Sequence, residues 1–181
     1  MNTRLGQQEW TNEALRTLAA HGIDAVRVER LAAALKVTKG SFYWHFAGRN
    51  ALLAAMLEAW KARATADVIA QVEASGGTPR DRMQTLLKIV FNADGRLEQQ
   101  VRAWAANDDM ARAAQLEIDG LRTGYVQSLF VELGFALPEA KARAQFAYLA
   151  LIGQYALGPA AKVRLQSGDQ FKRVFAMMIA R

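Results

Sequence analysis

The chain contains no cysteine. A disulfide framework, a thiolate zinc site, an iron–sulfur cluster and a cysteine nucleophile are therefore excluded, and a reducing compartment, the cytoplasm, is the expected setting. Proline is nearly as scarce, and Pro79, Pro138 and Pro159 all fall between helical patterns. No long alternating run of β-branched residues occurs, whereas Ala, Leu, Arg, Gln and Glu are frequent, so the composition predicts an all-α protein. Long apolar runs are missing as well. The opening MNTRLGQQEW lacks the apolar core of a signal peptide. The stretch Phe146 to Ala161 is interrupted by Gln154, Gly158 and Pro159 and falls short of the roughly 20 apolar residues that span a bilayer. Neither export nor a membrane partner is expected.

Enzyme signatures are absent too: there is no GxxxxGK[ST] phosphate loop, GxGxxG fingerprint, HExxH pair or GxSxG elbow. The two histidines, His21 and His45, fall on different predicted helices, where each complements a helix C-terminus. Asp109 and Glu117 lie two turns apart on one predicted helix, a spacing that marks a solvated face more often than an acid–base pair. No catalytic residue, metal ligand or cofactor is assigned, and the protein is not expected to be an enzyme.

What is present is a helical chain with excess positive charge. Its 181 residues suffice for one large or two small domains and for burial of roughly 70% of the unfolded surface. The formal net charge is +6, and the first 50 residues alone hold seven Lys or Arg against four Asp or Glu. That density hints at a polyanionic partner for the N-terminal end.

The first helix is expected from Thr3 or Leu5 to His21, with Trp10, Ala14, Leu15 and Leu18 on one side and Gly22 as its stop. A second begins near Val28. The break at Lys36, Val37 and Thr38 leads into a third helix, with Thr38 placed to cap its amides and Lys36 at a turn position that suits glycine if φ is positive. From Arg49 or Asn50 to about Ala74 the pattern predicts one helix on the order of 40 Å long, ended by SGGTP at Ser75 to Pro79. Further helices are expected over Arg80–Ala93, Leu97–Ala106, Asp108–Leu133 and Glu139–Leu157. A polar connection through Gly168 then precedes a closing helix to Ala180.

Val28 to Phe46, VERLAAALKVTKGSFYWHF, carries the distinctive pattern: two short helical segments around a three-residue break, a helix-turn-helix. Leu31, Ala32 and Leu35 form one apolar stripe and Phe42 with Phe46 another. A core needs only these. Gly40, Ser41 and Trp44 fall on the outer side, with Tyr43 and His45 on the flanks. Three polar-tipped rings beside Lys39 and Arg49 favour a contact surface over a simple core edge. The expected partner is double-stranded DNA, because an α-helix fits the major groove, Gly40 permits close backbone approach, and Tyr43 and His45 can reach phosphate oxygens. With no arginine, asparagine or glutamine on this helix, Lys39 is the one strong candidate for a guanine contact.

Over Gly22 to Leu53, GIDAVRVERLAAALKVTKGSFYWHFAGRNALL, the chain resembles the DNA-binding region of the TetR family of transcriptional regulators, the run Phe42 to Phe46 being the most specific part. The resemblance implies an N-terminal three-helix DNA-binding domain over 1–48, continuing into the long helix 49–74. A helical ligand-binding and dimerisation domain would fill 49–181, giving about nine helices in all. It further implies a homodimer that represses transcription from a palindromic operator and is released by a small hydrophobic or aromatic effector. DNA-contact roles pass to Lys39, Gly40, Ser41, Tyr43, Trp44, His45 and Arg49, with Arg27 and Thr38 beside them. Three positions depart from the usual pattern: Arg27 replaces a capping Ser or Thr, Glu29 stands where some members place a base-reading arginine, and Lys36 replaces the turn glycine.

Two recognition helices held about 34 to 36 Å apart, or a multiple, read a two-fold site, and dimerisation supplies that spacing. The expected interface is Phe146, Tyr148, Leu149, Ile152, Tyr155, Phe171, Val174 and Phe175 on the last two helices, with an ordinary monomer core as the alternative. Trp60, Met83, Leu87, Phe91, Trp104 and Tyr125 are the expected lining of an effector cavity, or else simply core. Two other functional readings stay open: a TetR-like DNA-binding protein with no effector, architectural or governed by a protein partner, and a helical carrier or enzyme that keeps the motif as an interaction surface.

Overall fold

A computed structural model describes residues 6–158 and 168–180. The expected helix start at Thr3 or Leu5 and the polar connection after Pro159 lie outside the described residues. The elements are α1 (Gln7–His21), a 3-10 turn (Ile23–Ala25), α2 (Val28–Ala34), α3 (Lys39–Tyr43), α4 (Arg49–Lys61), a π-helical turn (Ala62–Ala66), α5 (Asp67–Ala74), α6 (Pro79–Asn92), α7 (Arg96–Ala105), α8 (Asp109–Glu132), α9 (Leu137–Leu157) and α10 (Gly168–Ile179). No strand occurs among the described residues. The expected helix from Arg49 to Ala74 is α4, the π turn and α5 in succession.

The differences from expectation have local causes. α3 stops at Tyr43 instead of reaching His45. α9 starts at Leu137, two residues early, because a proline in the first turn gives up an amide that has no helical partner there. α6 likewise includes Pro79 in its first turn. Behind it Thr78 and Asp81 close a capping box: the Thr78 amide donates to Asp81 Oδ2 at 2.9 Å and the Asp81 amide to Thr78 Oγ1 at 3.3 Å.

The chain divides into two compact units. Among the described residues the first holds those up to Arg63 together with Arg96–Leu116, and the second Ala64–Gly95 with those from Glu117 onward. In the first, α1 packs against α2, α4 and α7. Trp10, Leu18, Val26, Leu31, Phe42, Leu52, Met56, Trp60 and Val101 are buried in it. Trp10 and Phe42 meet edge to face at 5.3 Å and Phe42 stacks on Phe46 at the same separation. Burying each large side chain contributes on the order of 2 to 3 kcal/mol. The second unit has its own core of Val72, Met83, Leu86, Leu87, Leu129, Phe130, Phe135, Ala140, Ala144 and Phe175.

Polar groups in the second unit hold irregular backbone in place. In the π turn, where the regular helical bonding shifts, Arg122 on α8 donates to the Ala64 carbonyl at 3.2 Å and to Thr65 Oγ1 at 3.0 Å. At the end of α6 the Val90 and Phe91 carbonyls, which have no acceptor role left within the helix, take hydrogen bonds from Tyr155 Oη (2.8 Å) and Gln154 Nε2 (3.0 Å). α9 can come this near because Gly95 has no side chain: a Cβ there would lie 2.3 Å from the Tyr155 ring.

The α2–α3 turn stores strain at the residue the sequence marks. Lys36 has φ 56°, while its amide donates to Ala33 O at 3.1 Å and the Val37 amide to Ala32 O at 3.0 Å. This is a Schellman stop with lysine where glycine is usual. α8 ends in the same way with Gly134 at φ 90°, and there Phe135 packs on Phe130. A left-handed conformation costs a residue with a Cβ about 1 to 2 kcal/mol, offset in part by the greater unfolded-state entropy of glycine. Lys36→Gly should therefore raise the unfolding free energy by up to about 1 kcal/mol, read from the urea midpoint. A lowered midpoint would remove the strain assignment.

Candidate nucleic-acid interface

α3 is only five residues long and cannot be stable alone, so the first unit has to hold it in place. Phe42 does so from its middle, fully buried against Trp10 and Phe46. With Phe42 inward, the helical turn puts the neighbouring side chains outward. Trp44 is 88% exposed and Tyr43 58% exposed, its ring edge resting on Phe42 at 5.3 Å. Trp44 is the C-cap of α3. His45 follows it, half-buried, and its carbonyl accepts from Gln7 Nε2 at 2.7 Å, which ties the end of the motif to α1. Large aromatic surfaces left in solvent beside a basic helix are what a partner surface requires and what a core does not.

At the other end of α3, Thr38 is the N-cap with extended backbone, but its hydroxyl makes no capping bond. Its carbonyl accepts from the Ser41 amide at 3.0 Å. The expected hydroxyl cap is thus absent, and the side chain lies exposed next to Lys39 and Gly40. A Cβ at Gly40 would meet nothing nearer than Thr38 Oγ1 at 3.7 Å, so the fold itself has room for a side chain there. Ser41 is half-buried. Lys39, the first residue of α3, makes an ion pair with Glu29 in the first turn of α2. Their mutual hydrogen bond holds the Glu29 carboxyl below its ordinary pKa and the Lys39 ammonium above its own, so both are charged at neutral pH.

The two arginines have second duties. Arg49 Nε donates to Val26 O at 3.1 Å and its Nη2 to Ile23 O at 3.3 Å, and Arg27 Nε donates to Asp24 O at 2.9 Å. The Ala25 carbonyl accepts from the Arg27 amide at 3.0 Å. The carbonyls of Ile23, Asp24, Ala25 and Val26 in the connection from α1 to α2 are therefore satisfied, three of them by guanidinium groups. Arg49 is a clamp on that connection whatever else its remaining donors reach. Sequence reasoning missed this role and the Lys39 partner alike, since both join residues on different elements with no periodicity to show them.

The remaining candidate residues are distributed as follows. Trp60 and Trp104 are buried in the first unit. Met83 and Leu87 are core residues of the second, with Phe91 and Tyr125 partly buried against that core. Tyr125 Oη donates to Glu73 Oε1 at 2.6 Å, and burial together with this bond pushes the phenol above its ordinary pKa. Among the expected interface residues, Phe146 and Leu149 are well exposed and Phe175 is buried inside the chain. Tyr148, Ile152, Tyr155, Phe171 and Val174 are partly buried. Tyr148 donates to Asp119 Oδ1 at 2.6 Å and Tyr155 to Val90 O, so both hydroxyls serve the chain's own fold.

A tri-helical motif with an exposed aromatic outer face, followed by a second helical unit, places the chain in the class of helix-turn-helix proteins. The family model for bacterial regulatory proteins of the tetR family matches residues 11–56, the segment from α1 into α4. A similar curated protein, the HTH-type transcriptional regulator BetI of Rhizobium meliloti (strain 1021), is 29% identical over 93 residues, which are 51% of this chain and 45% of that protein. The match therefore spans about half the length of that relative. Among solved structures, the reduced form of E. coli NemR is similar with a TM-score of 0.76 and 19% identity, covering 94% of each chain. A transcriptional regulator from Pseudomonas aeruginosa PAO1 gives 0.74 and 16%, covering 96% of this chain and 88% of that one. BioQ, crystallised with its double-stranded DNA operator, gives 0.53 and 17%, covering 98% of this chain and 99% of that one. At these identities the structures establish a shared fold. Residues 11–56 thus match the tetR family model, and the chain shares the fold of these regulators.

If Arg49 clamps the connection to α2, Arg49→Ala should lower the unfolding free energy by roughly 1 to 2 kcal/mol, as expected for charge-assisted bonds to partly buried carbonyls. Urea denaturation reads this without DNA. An unchanged midpoint would leave Arg49 with a surface role only.

Proposed function

We propose that this chain is a sequence-specific DNA-binding transcriptional regulator of the TetR family, acting as a homodimeric repressor that a small-molecule effector releases from a palindromic operator. The observation that carries the DNA-binding part is the outer face of α3, where Tyr43 and Trp44 stand in solvent next to Lys39, while Phe42 anchors the same helix in the core. α3 presents Lys39 to Ser41 with Trp44 to the major groove, and Tyr43, His45, Arg27, Thr38 and the outward donors of Arg49 meet the phosphates. The similarly folded BioQ is crystallised with its double-stranded DNA operator, which supports duplex DNA as the partner.

Dimerisation rests on the exposed apolar residues of the last two helices. Phe146 is 75%, Leu149 68% and Met177 76% exposed, far more than isolated surface hydrophobics require. A second reading, regulation without a small-molecule effector, is favoured by one observation: Met83 and Leu87, expected to line a cavity, are packed among Leu129, Phe130 and Phe175.

Selection from a random duplex pool should recover a palindrome, bound with an affinity that falls about a thousandfold or more between about 50 and 200 mM salt. Tyr43→Ala should weaken that binding roughly tenfold without changing the unfolding midpoint. Equal affinity for selected and random duplex would exclude sequence-specific regulation, and operator release by no member of a broad panel of small aromatic and aliphatic compounds would favour the second reading.

The double variant Phe146→Glu, Leu149→Glu should sediment as a monomer at micromolar concentrations where the parent is a dimer, because like charges would then face each other across a two-fold axis. Unchanged mass would move the interface elsewhere.

A further inference from the structure

The ion pair between Glu29 and Lys39 is out of place on a surface that binds a polyanion. A carboxylate on such a face repels every phosphate near it, and a lysine paired to it gives up part of its attraction for the backbone. Yet the two residues are not at the rim. In a helix-turn-helix the N-terminal residues of the recognition helix meet base edges, and Lys39 is the first residue of α3. Glu29 reaches its ammonium from the first turn of α2, so the carboxylate lies within one side-chain contact of the same edges. Left alone, a lysine on a flexible stem finds the nearest phosphate as a point charge and carries no sequence information. Held by Glu29, it is turned away from that default.

The groove offers a carboxylate few favourable partners. Cytosine presents a donor, the N4 amino group, and beside it in the same base pair guanine presents two acceptors, O6 and N7. An ammonium and a carboxylate in contact match a G·C pair charge for charge. Both groups are about half or more exposed, Lys39 at 52% and Glu29 at 66%, and thus open to such a partner. We propose that Glu29 is a specificity-determining residue that restrains Lys39, and that the pair reads one G·C base pair in each half-site, Lys39 donating to guanine and Glu29 accepting from cytosine N4. This rests on the DNA-binding reading above and adds to it the base pair recognised and the residue that sets it.

The test compares the parent, Glu29→Ala, Lys39→Ala and the double variant on the duplex selected by the parent, on all its single-base-pair variants, and on random duplex at one fixed salt concentration. Both residues are solvent-exposed, and unchanged circular dichroism and unfolding midpoints would verify that the fold is retained. Glu29→Ala should bind random duplex about tenfold more tightly, because a repulsive charge is lost and Lys39 is released to the backbone. It should also lose about tenfold or more of its preference for G·C at one position per half-site. Lys39→Ala should lose preference at that same position, and the double variant should be no less selective there than either single one. A parent that selects no sequence would overturn both this inference and the DNA-binding reading. A parent that selects a palindrome, with Glu29→Ala keeping the full base profile or shifting a position different from that of Lys39→Ala, would overturn this inference alone.

Discussion

Phe42 in its pocket is the contact on which the proposed DNA-binding face depends. α3 makes a little more than one helical turn, too little to form in isolation, and its direction in space is set by one buried ring held edge-on by Trp10 and stacked by Phe46. Because Phe42 points inward, Tyr43 and Trp44 point outward; because Trp10 on α1 is fully buried against it, α1 and α3 are fixed relative to each other. The proposed binding surface is thus the outer side of a packing interaction, and a substitution at Phe42 would act on it from inside the core.

Around that anchor the first unit uses charge for positioning. Arg49 and Arg27 satisfy the carbonyls of the α1–α2 connection, and Glu29 takes the ammonium of Lys39. A helix-turn-helix surface assembled from such short elements leaves many backbone carbonyls outside regular bonding, and guanidinium groups with several donors meet that need while keeping others turned outward. The second unit solves a similar problem with Arg122 at the π turn and with Tyr155 and Gln154 at the end of α6. In both units polar side chains from a neighbouring element complete helices whose own backbone bonding stops.

The legible parts were those with local causes. Helical periodicity places the helices among the described residues to within a few positions, Gly22 marks a stop, and Lys36 occupies the turn position that suits glycine, where φ is 56°. The alternation of inward Phe42 and Phe46 with outward Tyr43 and Trp44 was legible for the same reason, since a turn of about 100° per residue leaves little freedom once one ring is buried. What periodicity could not give was partnership between elements. Nothing in the spacing of Arg49 and Ile23 says that a guanidinium meets a carbonyl, and nothing in the pattern of Arg96 to Leu116 says that it joins the first unit rather than the second.

The sequence by itself determined an all-α chain without thiol chemistry and a helix-turn-helix with an aromatic, basic outer face, because composition and short-range geometry act within a few residues of one another. Tertiary structure alone decided that α7 packs on α1, that Met83 and Leu87 lie in a closed core, that the helix from Arg49 passes through a π turn held by Arg122, and that Lys39 has a partner in Glu29. Each of these joins residues at least ten positions apart. Which distant groups meet is settled by the simultaneous packing of all the helices, a constraint that no local window of the chain contains.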